Sequence, residues 1–279
     1  EPRLAAWALF ADAAWQRPWF GYGWNQAILA QGAVALDHPA LSMFFTYSHN
    51  LFLDLVLWCG IPLGLLIAAL LLRWFWKQLV AVKSAEHAVL VLFVLVAANH
   101  AMFEYPLYYA YILLPVGLVM GMLNTRSAMP PLVQIPRSTV AVLWLGGAIL
   151  FGLVVRDYFN VETSYRILNQ EIQGIKHSAP KTPPDVLLLT QWRDYVEYAR
   201  SIPKAGMTTT ELDRARTLTA LNPTNISFTF KLAMSLALND KPEEAGQWLE
   251  KLCRMAQKEH CAAVKREWTK AKKGRPELA

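Results

Sequence analysis

Residues 47–64 read Tyr47-Ser48-His49-Asn50-Leu51-Phe52-Leu53-Asp54-Leu55-Val56-Leu57-Trp58-Cys59-Gly60-Ile61-Pro62-Leu63-Gly64, and the apolar run they open continues to Leu72. Residues 51–72 contain one charge, Asp54. At about 1.5 Å per residue, a helix of that length spans roughly the hydrocarbon core of a bilayer. The polar cluster Ser48-His49-Asn50 then stands at the membrane surface, where the chain enters lipid. An imidazole at that depth can exchange protons with water and still reach a lipid headgroup. A plainer role is open too: Ser48 or Asn50 caps the helix and His49 fills the interface. Asp54 lies one turn further in, where it can pair with His49 or Asn50, and an acid inside a membrane segment is a functional candidate.

Outward from this stretch the composition divides. The 279 residues are 54% hydrophobic, too apolar for an ordinary soluble domain. Residues 1–156 carry 8 basic and 6 acidic side chains, whereas residues 157–279 carry 19 and 15. The first part reads as a membrane region with a polar preface, the second as a water-soluble domain. The net charge of +6 is spread over both parts, and no basic stripe interleaved with aromatics points to nucleic acid. The chain opens on Glu1 with no signal peptide, so it reads as the C-terminal portion of a longer membrane protein.

Four membrane segments are expected, near 51–72, 87–103, 106–123 and 138–155. Glu104-Tyr105-Pro106 joins the middle two as a tight hairpin. The connections 73–86 and 124–137 hold Arg73, Lys77, Lys83, Arg126 and Arg137 against one acid, Glu86. The positive-inside rule places them in the cytoplasm. By alternation residues 1–50, the Glu104 turn and everything after 156 lie outside it, so His49 and Glu104 share a side.

Before the decisive stretch, residues 1–24 read as an aromatic-faced helix (Trp7, Phe10, Ala14, Trp15) ended by Pro18 and Gly21-Tyr22-Gly23. Residues 25–46 show no period and read as a partly ordered surface loop. Beyond the membrane, residues 157–179 continue as helix until Pro180, Pro183 and Pro184. Thr210-Glu211-Leu212-Asp213 resembles a capping box, and helices follow near 225–238 and 243–258. The Leu221-Asn222-Pro223 turn and this helix pair resemble a tetratricopeptide repeat, with about one repeat visible. Such helices bind peptides or simply pack on each other. Cys59 reads as a small apolar residue. Cys253 and Cys261 would sit about 12 Å apart on a straight helix, so a disulfide between them requires a break near His260. A Cys/His metal site has too few ligands.

Arg3, ahead of the aromatic helix, offers the paired donors that suit a phosphate. Arg17 reads better as a snorkelling side chain. His100 and Glu104, four apart, would share a helix face, and a lone carboxylate at a membrane boundary needs water or a partner. Glu104 could orient a base, bind an acceptor group or anchor its turn. One His and one carboxylate make no metal site. No nucleophile elbow, P-loop or dinucleotide fingerprint appears.

The ordered strings Arg3-Leu-Ala-Ala-Trp7, Pro18-Trp-Phe-Gly21-Tyr-Gly23, Ser48-His49-Asn50-Leu-Phe-Leu-Asp54 and Gly60-Ile-Pro-Leu-Gly64 resemble the C-terminal half of the O-antigen ligase/polymerase superfamily. Glu104-Tyr105-Pro-Leu-Tyr-Tyr-Ala-Tyr-Ile-Leu-Leu-Pro115-Val-Gly117 resembles the bacterial protein O-oligosaccharyltransferases of the PglL type within it. The resemblance covers essentially the whole chain, with the tail its least specific part. It implies an all-α polytopic inner-membrane protein with a periplasmic helical tail. The implied reaction is a metal-independent, cofactor-free, inverting glycosyl transfer. The donor is an oligosaccharide on undecaprenyl pyrophosphate, and the acceptor is a Ser or Thr hydroxyl of a pilin or other exported protein. Carried over by motif, His49 assists the attacking hydroxyl and Arg3 holds the pyrophosphate, with Asn50, Asp54, Glu104 and Tyr105 supporting or binding substrate. Much of the lipid groove would lie in helices preceding this chain, so residues 1–279 alone are expected to be inactive. Two other functions compete: an O-antigen ligase to lipid A core (or a repeat-unit polymerase), and a non-catalytic membrane scaffold with a partner-binding tail.

Overall fold

A computed structural model describes residues 2–127, 134–175 and 181–274; Pro180 and part of the 124–137 connection lie outside them. All regular structure among the described residues is helical. The chain divides into two compact units, residues 1–130 with 247–270 and residues 131–246 with 271–279.

The first unit contains α1 (Pro2–Gln16), α2 (Ala27–Val34), α3 (Leu51–Cys59), α4 (Ile61–Val80), α5 (Ala85–His100) and α6 (Ala110–Arg126), with a 3-10 turn at Pro106–Tyr108. The expected single run 51–72 is in fact two helices. Gly60 separates them with φ +84°, a conformation open to glycine. Pro62 occupies the first turn of α4, where its missing N–H costs nothing. The open end of α3 is closed from outside: Tyr22 N and Gly23 N donate to the Leu57 and Trp58 carbonyls at 2.7 and 3.1 Å, while Ile61 N donates to Pro18 O at 2.7 Å. Two strings 40 residues apart in sequence, Pro18–Gly23 and Gly60–Gly64, thus form one joint. A Cβ on Gly60 would fall on the Trp19 carbonyl, and one on Gly21 would fall on the Leu57 carbonyl.

Residues 25–46, expected to be loop, contain α2. Apart from Gln31 its residues are apolar or small, so no period betrays it. Ala27, Ala30 and Val34 are fully buried against Ala6, Phe10 and Ala13 of α1, in a cluster that also takes in Phe45, Leu55, Leu57 and Trp58. A second cluster joins Val91 and Val94 of α5 to Val116 and Leu123 of α6. The two ends of this helical group are distinct. At one end Arg126 pairs with Glu86 at 2.8 Å and Asn124 accepts from Trp74 at 2.6 Å. At the other, Leu51 N donates to Ala101 O at 3.1 Å.

The second unit holds α7 (Arg137–Ile172), α8 (Thr190–Arg200), α9 (Thr209–Leu221) and α10 (Ile226–Ala237); α11 (Pro242–Met255) and α12 (Lys258–Gly274) follow. The expected membrane segment 138–155 and the helix after it are one continuous α7. Its apolar stretch carries Leu143, Trp144, Leu145, Ile149 and Phe151 fully on its surface. Among the described residues two helices, α4 and α7, are long and apolar enough to cross a membrane. Further along α7, Asp157 is buried and its Oδ2 accepts from the Leu187, Leu188 and Leu189 amides at 2.6–3.1 Å. Val196, Leu212, Leu218, Phe228, Leu232 and Leu236 are buried on α8 to α10. The capping box sits two residues earlier than expected, with Thr208 as the cap and Glu211 as its partner.

Candidate active site

The segment 43–50 hangs over the joint of α1, α2 and α3 by hydrogen bonds from three directions. From α2, the buried Gln31 donates to Met43 O and accepts from Phe45 N, both at 2.8 Å. From α1, the Trp7 indole donates to Ser48 O at 2.8 Å. From α3, Asp54 Oδ1 accepts from Ser48 N at 2.8 Å. Asn50 caps α3, its Oδ1 accepting from Phe52 N at 3.1 Å and Leu53 N at 3.2 Å. Between these anchors His49 adopts φ +58°, in the left-handed region that costs a non-glycine residue about 1–2 kcal/mol. Strain of this kind persists only where its surroundings over-determine it.

That conformation brings the His49 ring to the turn after α5. Nδ1 lies 3.0 Å from Phe103 O. A carbonyl only accepts, so Nδ1 carries the proton, and in the neutral ring Nε2 is the lone-pair nitrogen. Glu104 Oε2 stands 3.9 Å from the same Nδ1, and Arg3 Nη2 stands 3.7 Å from Glu104 Oε1. These are ion-pair distances beyond hydrogen-bond range, so the donors of Arg3 are not consumed by Glu104. Arg3 and Glu104 side chains are 50% and 41% exposed, so their attraction is screened and weak. The Tyr47 ring packs on His49 at 4.4 Å and on Tyr105 at 4.0 Å, with Phe45 at 6.1 Å from His49. Burial raises the Tyr47 phenol above its ordinary pKa, against a lowering hydrogen bond with Tyr105. Behind them the Tyr108 hydroxyl and the Trp58 indole N–H are buried without a partner among the described residues.

The candidates His49, Arg3, Asn50, Asp54, Glu104 and Tyr105 therefore converge, but two pairings differ from expectation. Asp54 holds the Ser48 amide instead of pairing with His49 or the Asn50 side chain, because the loop turns back across the start of α3. Glu104 does not share a helix face with His100: α5 ends at His100, and Glu104 lies in the following turn. Arg17 stacks over Tyr22 at 4.9 Å. The roles of Gln31 and of the Phe103 carbonyl, and the bond from the Trp7 indole to the loop, are not readable in the sequence. Gln31 was readable only as a lone amide in an otherwise apolar run, and the other two act through geometry that no spacing records. No group of three His, Cys, Asp or Glu side chains suited to a metal ion occurs among the described residues.

A second anchor holds the residues just before this segment. Cys253 and Cys261 are disulfide-bonded across the break at Ala256–Gln257, slightly ahead of the expected break at His260. Beside Cys253, Arg254 donates to Leu36 O at 3.0 Å and His38 O at 2.8 Å. Its own carbonyl accepts from Leu41 N at 3.1 Å and Ser42 N at 3.2 Å. The residues leading into the His49 loop are thus tied at both ends.

Residues 88–271 match the family model described as virulence factor membrane-bound polymerase, C-terminal. A general O-oligosaccharyltransferase of Acinetobacter baylyi is 33% identical over 260 residues, 92% of this chain and 45% of that protein. A ComP-specific O-oligosaccharyltransferase of the same organism is 36% identical over 125 residues, 45% of this chain and 23% of that protein. The chain thus spans less than half the length of the curated relatives it matches. No solved structure matches it.

Proposed function

This chain belongs to the virulence factor membrane-bound polymerase family, and from that premise we propose that it is a protein O-oligosaccharyltransferase that moves an oligosaccharide en bloc from undecaprenyl pyrophosphate to a Ser or Thr hydroxyl of a pilin or other exported protein. The observation that carries this reading is the hydrogen bond from His49 Nδ1 to Phe103 O, beside Glu104 and Arg3. It leaves Nε2 as the lone-pair nitrogen of the neutral ring.

A serine or threonine hydroxyl is a poor nucleophile, so a base whose pKa lies near neutrality accelerates its attack. In the proposed step His49 Nε2 takes the hydroxyl proton as the oxygen bonds to the anomeric carbon. The carbon–oxygen bond to the pyrophosphate breaks, and the electron pair leaves with the pyrophosphate. Arg3 offsets the charge gathering there, an interaction worth most in the transition state. Glu104 supports the imidazolium that forms at His49. Tyr47 and Tyr105 wall the ring, and Asn50 and Asp54 hold the loop that presents it. No metal enters the scheme.

In this reading four helical segments cross the inner membrane. The Glu86–Arg126 end is cytoplasmic, and the His49–Glu104 end faces the periplasm with the tail. The basic residues 73–86 and 124–137 support that orientation.

The test uses the full-length parent protein in a cell without transferases of its own, supplied with a lipid-linked glycan and a pilin acceptor. Intact mass of the pilin should rise by one glycan, and His49→Ala should abolish the rise. An unmodified pilin beside newly capped lipopolysaccharide would overturn the protein acceptor in favour of a ligase.

A further inference from the structure

The second unit carries a cleft that the proposed chemistry does not use. Tyr165 of α7 and Trp192 and Tyr195 of α8 form one wall, and Asn222, Thr224 and Asn225 of the α9–α10 connection with Ile226 and Ser227 of α10 form the other. The cleft is shallow and widely open to water, with room for about 550 Å³ of solvent above its lining. Its aromatic rings stand 5.4–6.2 Å apart and are turned against one another by 48–80°. They offer faces and edges to an occupant instead of closing into a stack. None of the eight lining residues is charged.

The polar wall is built, not incidental. Asn225 caps α10 by accepting from Phe228 N at 3.2 Å, and its amide donates to the Tyr195 hydroxyl at 3.0 Å. One side chain therefore fixes both the loop and a ring of the opposite wall. The exposed hydroxyls of Thr224 and Ser227 and the indole N–H of Trp192 bond to no protein group among the described residues. Trp192 and Tyr165 keep 36% and 39% of their surface in water, although both are large enough to be worth burying.

We propose that this cleft binds a sugar unit of an uncharged oligosaccharide. A pyranose ring has an apolar C–H face that lies on an aromatic ring and a hydroxyl edge that bonds to planar amides and hydroxyls. Both halves are present here, and the lining offers neither a cation for an acid nor a carboxylate for a base. The reach also suits a glycan carried on a membrane lipid. The apolar stretch of α7 ends near Val155, and Tyr165 lies ten residues further on the same helix. That is about 15 Å beyond the bilayer core, where a sugar chain leaving a lipid pyrophosphate would pass. The transferase reading enters only as the source of the sugar, either the lipid-linked donor or the glycosylated product.

The test is direct binding to the full-length protein in nanodiscs. The probe is the free oligosaccharide released by mild acid from the lipid-linked pool of the parent bacterium, followed by calorimetry and saturation-transfer NMR. Wild type should bind it, and His49→Ala should bind it equally well. Trp192→Ala should weaken binding at least about tenfold, while Trp192→Phe, which keeps a ring, should lose far less. Thr224→Arg, an exposed substitution that fills the cleft without removing any packing, should abolish binding. Cleft-dependent binding of the lipid-linked form identifies the donor; cleft-dependent binding of glycosylated but not bare acceptor identifies the product. The proposal is overturned if folded wild type does not bind the sugar. It is also overturned if Thr224→Arg leaves binding unchanged, or if the cleft captures the bare acceptor and no sugar. Absence of transfer by wild type while the cleft still binds sugar would remove the transferase reading and leave this site standing.

Discussion

Gln31→Met is the most informative single change outside the reacting groups. The substitution keeps the length and volume of the side chain and removes both hydrogen-bonding ends. Gln31 is 1% exposed and Phe45 5%, so water does not take over the Phe45 amide in the closed loop, whereas Met43 is half exposed and within reach of water. The Phe45 amide is left unpaired, at about 1–3 kcal/mol. That local penalty raises the opening constant of the loop about 5- to 150-fold. Hydrogen exchange read by mass spectrometry on the full-length protein resolves this. Peptides covering 43–50 should exchange faster by that factor, while peptides from α5 and α6 should not change. Glycan transfer should fall with the lost population of ordered loop. Exchange in 43–50 within threefold of wild type, in a protein that folds normally, would refute the claim that Gln31 suspends the His49 loop.

Two other outcomes follow from the packing and electrostatics. Gly60→Ala should fold poorly or lower thermal stability by at least about 3 kcal/mol, since it combines a positive φ with a collision against backbone; a melting temperature within 2–3 °C of wild type would contradict the joint described for α3 and α4. Burial lowers the Lys231 ammonium to about 8, even though it donates to Tyr198 O at 2.8 Å and Ala199 O at 2.7 Å. Its folded pKa lies below the unfolded one, so the unfolded chain holds more protons between about pH 8 and 10. Local stability of α10 should therefore rise across that window and be least below it, and Lys231→Met should flatten the rise, as read by exchange rates corrected for intrinsic pH dependence.

Much of this architecture is legible in the residues, though unevenly. The apolar runs near 87–103 and 106–123 and the punctuation at Glu104-Tyr105-Pro106 mark α5 and α6, whose limits move by only a few residues, whereas α4 runs well past Leu72. Asn50 and Asp54 are readable as a cap and a buried acid because both act within one helical turn of their own position. The acid's partner is not readable, since Ser48 reaches Asp54 through the path of the loop. The break at Gly60 was hidden by apolarity: hydropathy is blind to φ, while the Gly60-Ile61-Pro62 order marks a helix end and a new start. Helix α2 escaped because its eight residues hold one polar side chain, Gln31, and so show no amphipathic period. The tautomer of His49 rests on a backbone carbonyl 54 residues away, and every residue has such a carbonyl. The aromatic cleft unites α7, α8 and the α9–α10 turn, so its parts look like ordinary helix-face tyrosines and a turn until they are assembled.

The central claim is that His49 Nε2 takes the proton of the acceptor hydroxyl while its loop and Arg3 fix the donor headgroup. The most direct measurement is the turnover of full-length protein with saturating lipid-linked donor and acceptor, comparing wild type with His49→Gln. Loss of a positioned base should lower kcat about 10²- to 10⁴-fold and leave the KM for donor within threefold. A kcat within threefold of wild type would mean that no proton passes through His49, and the account of this site would fail.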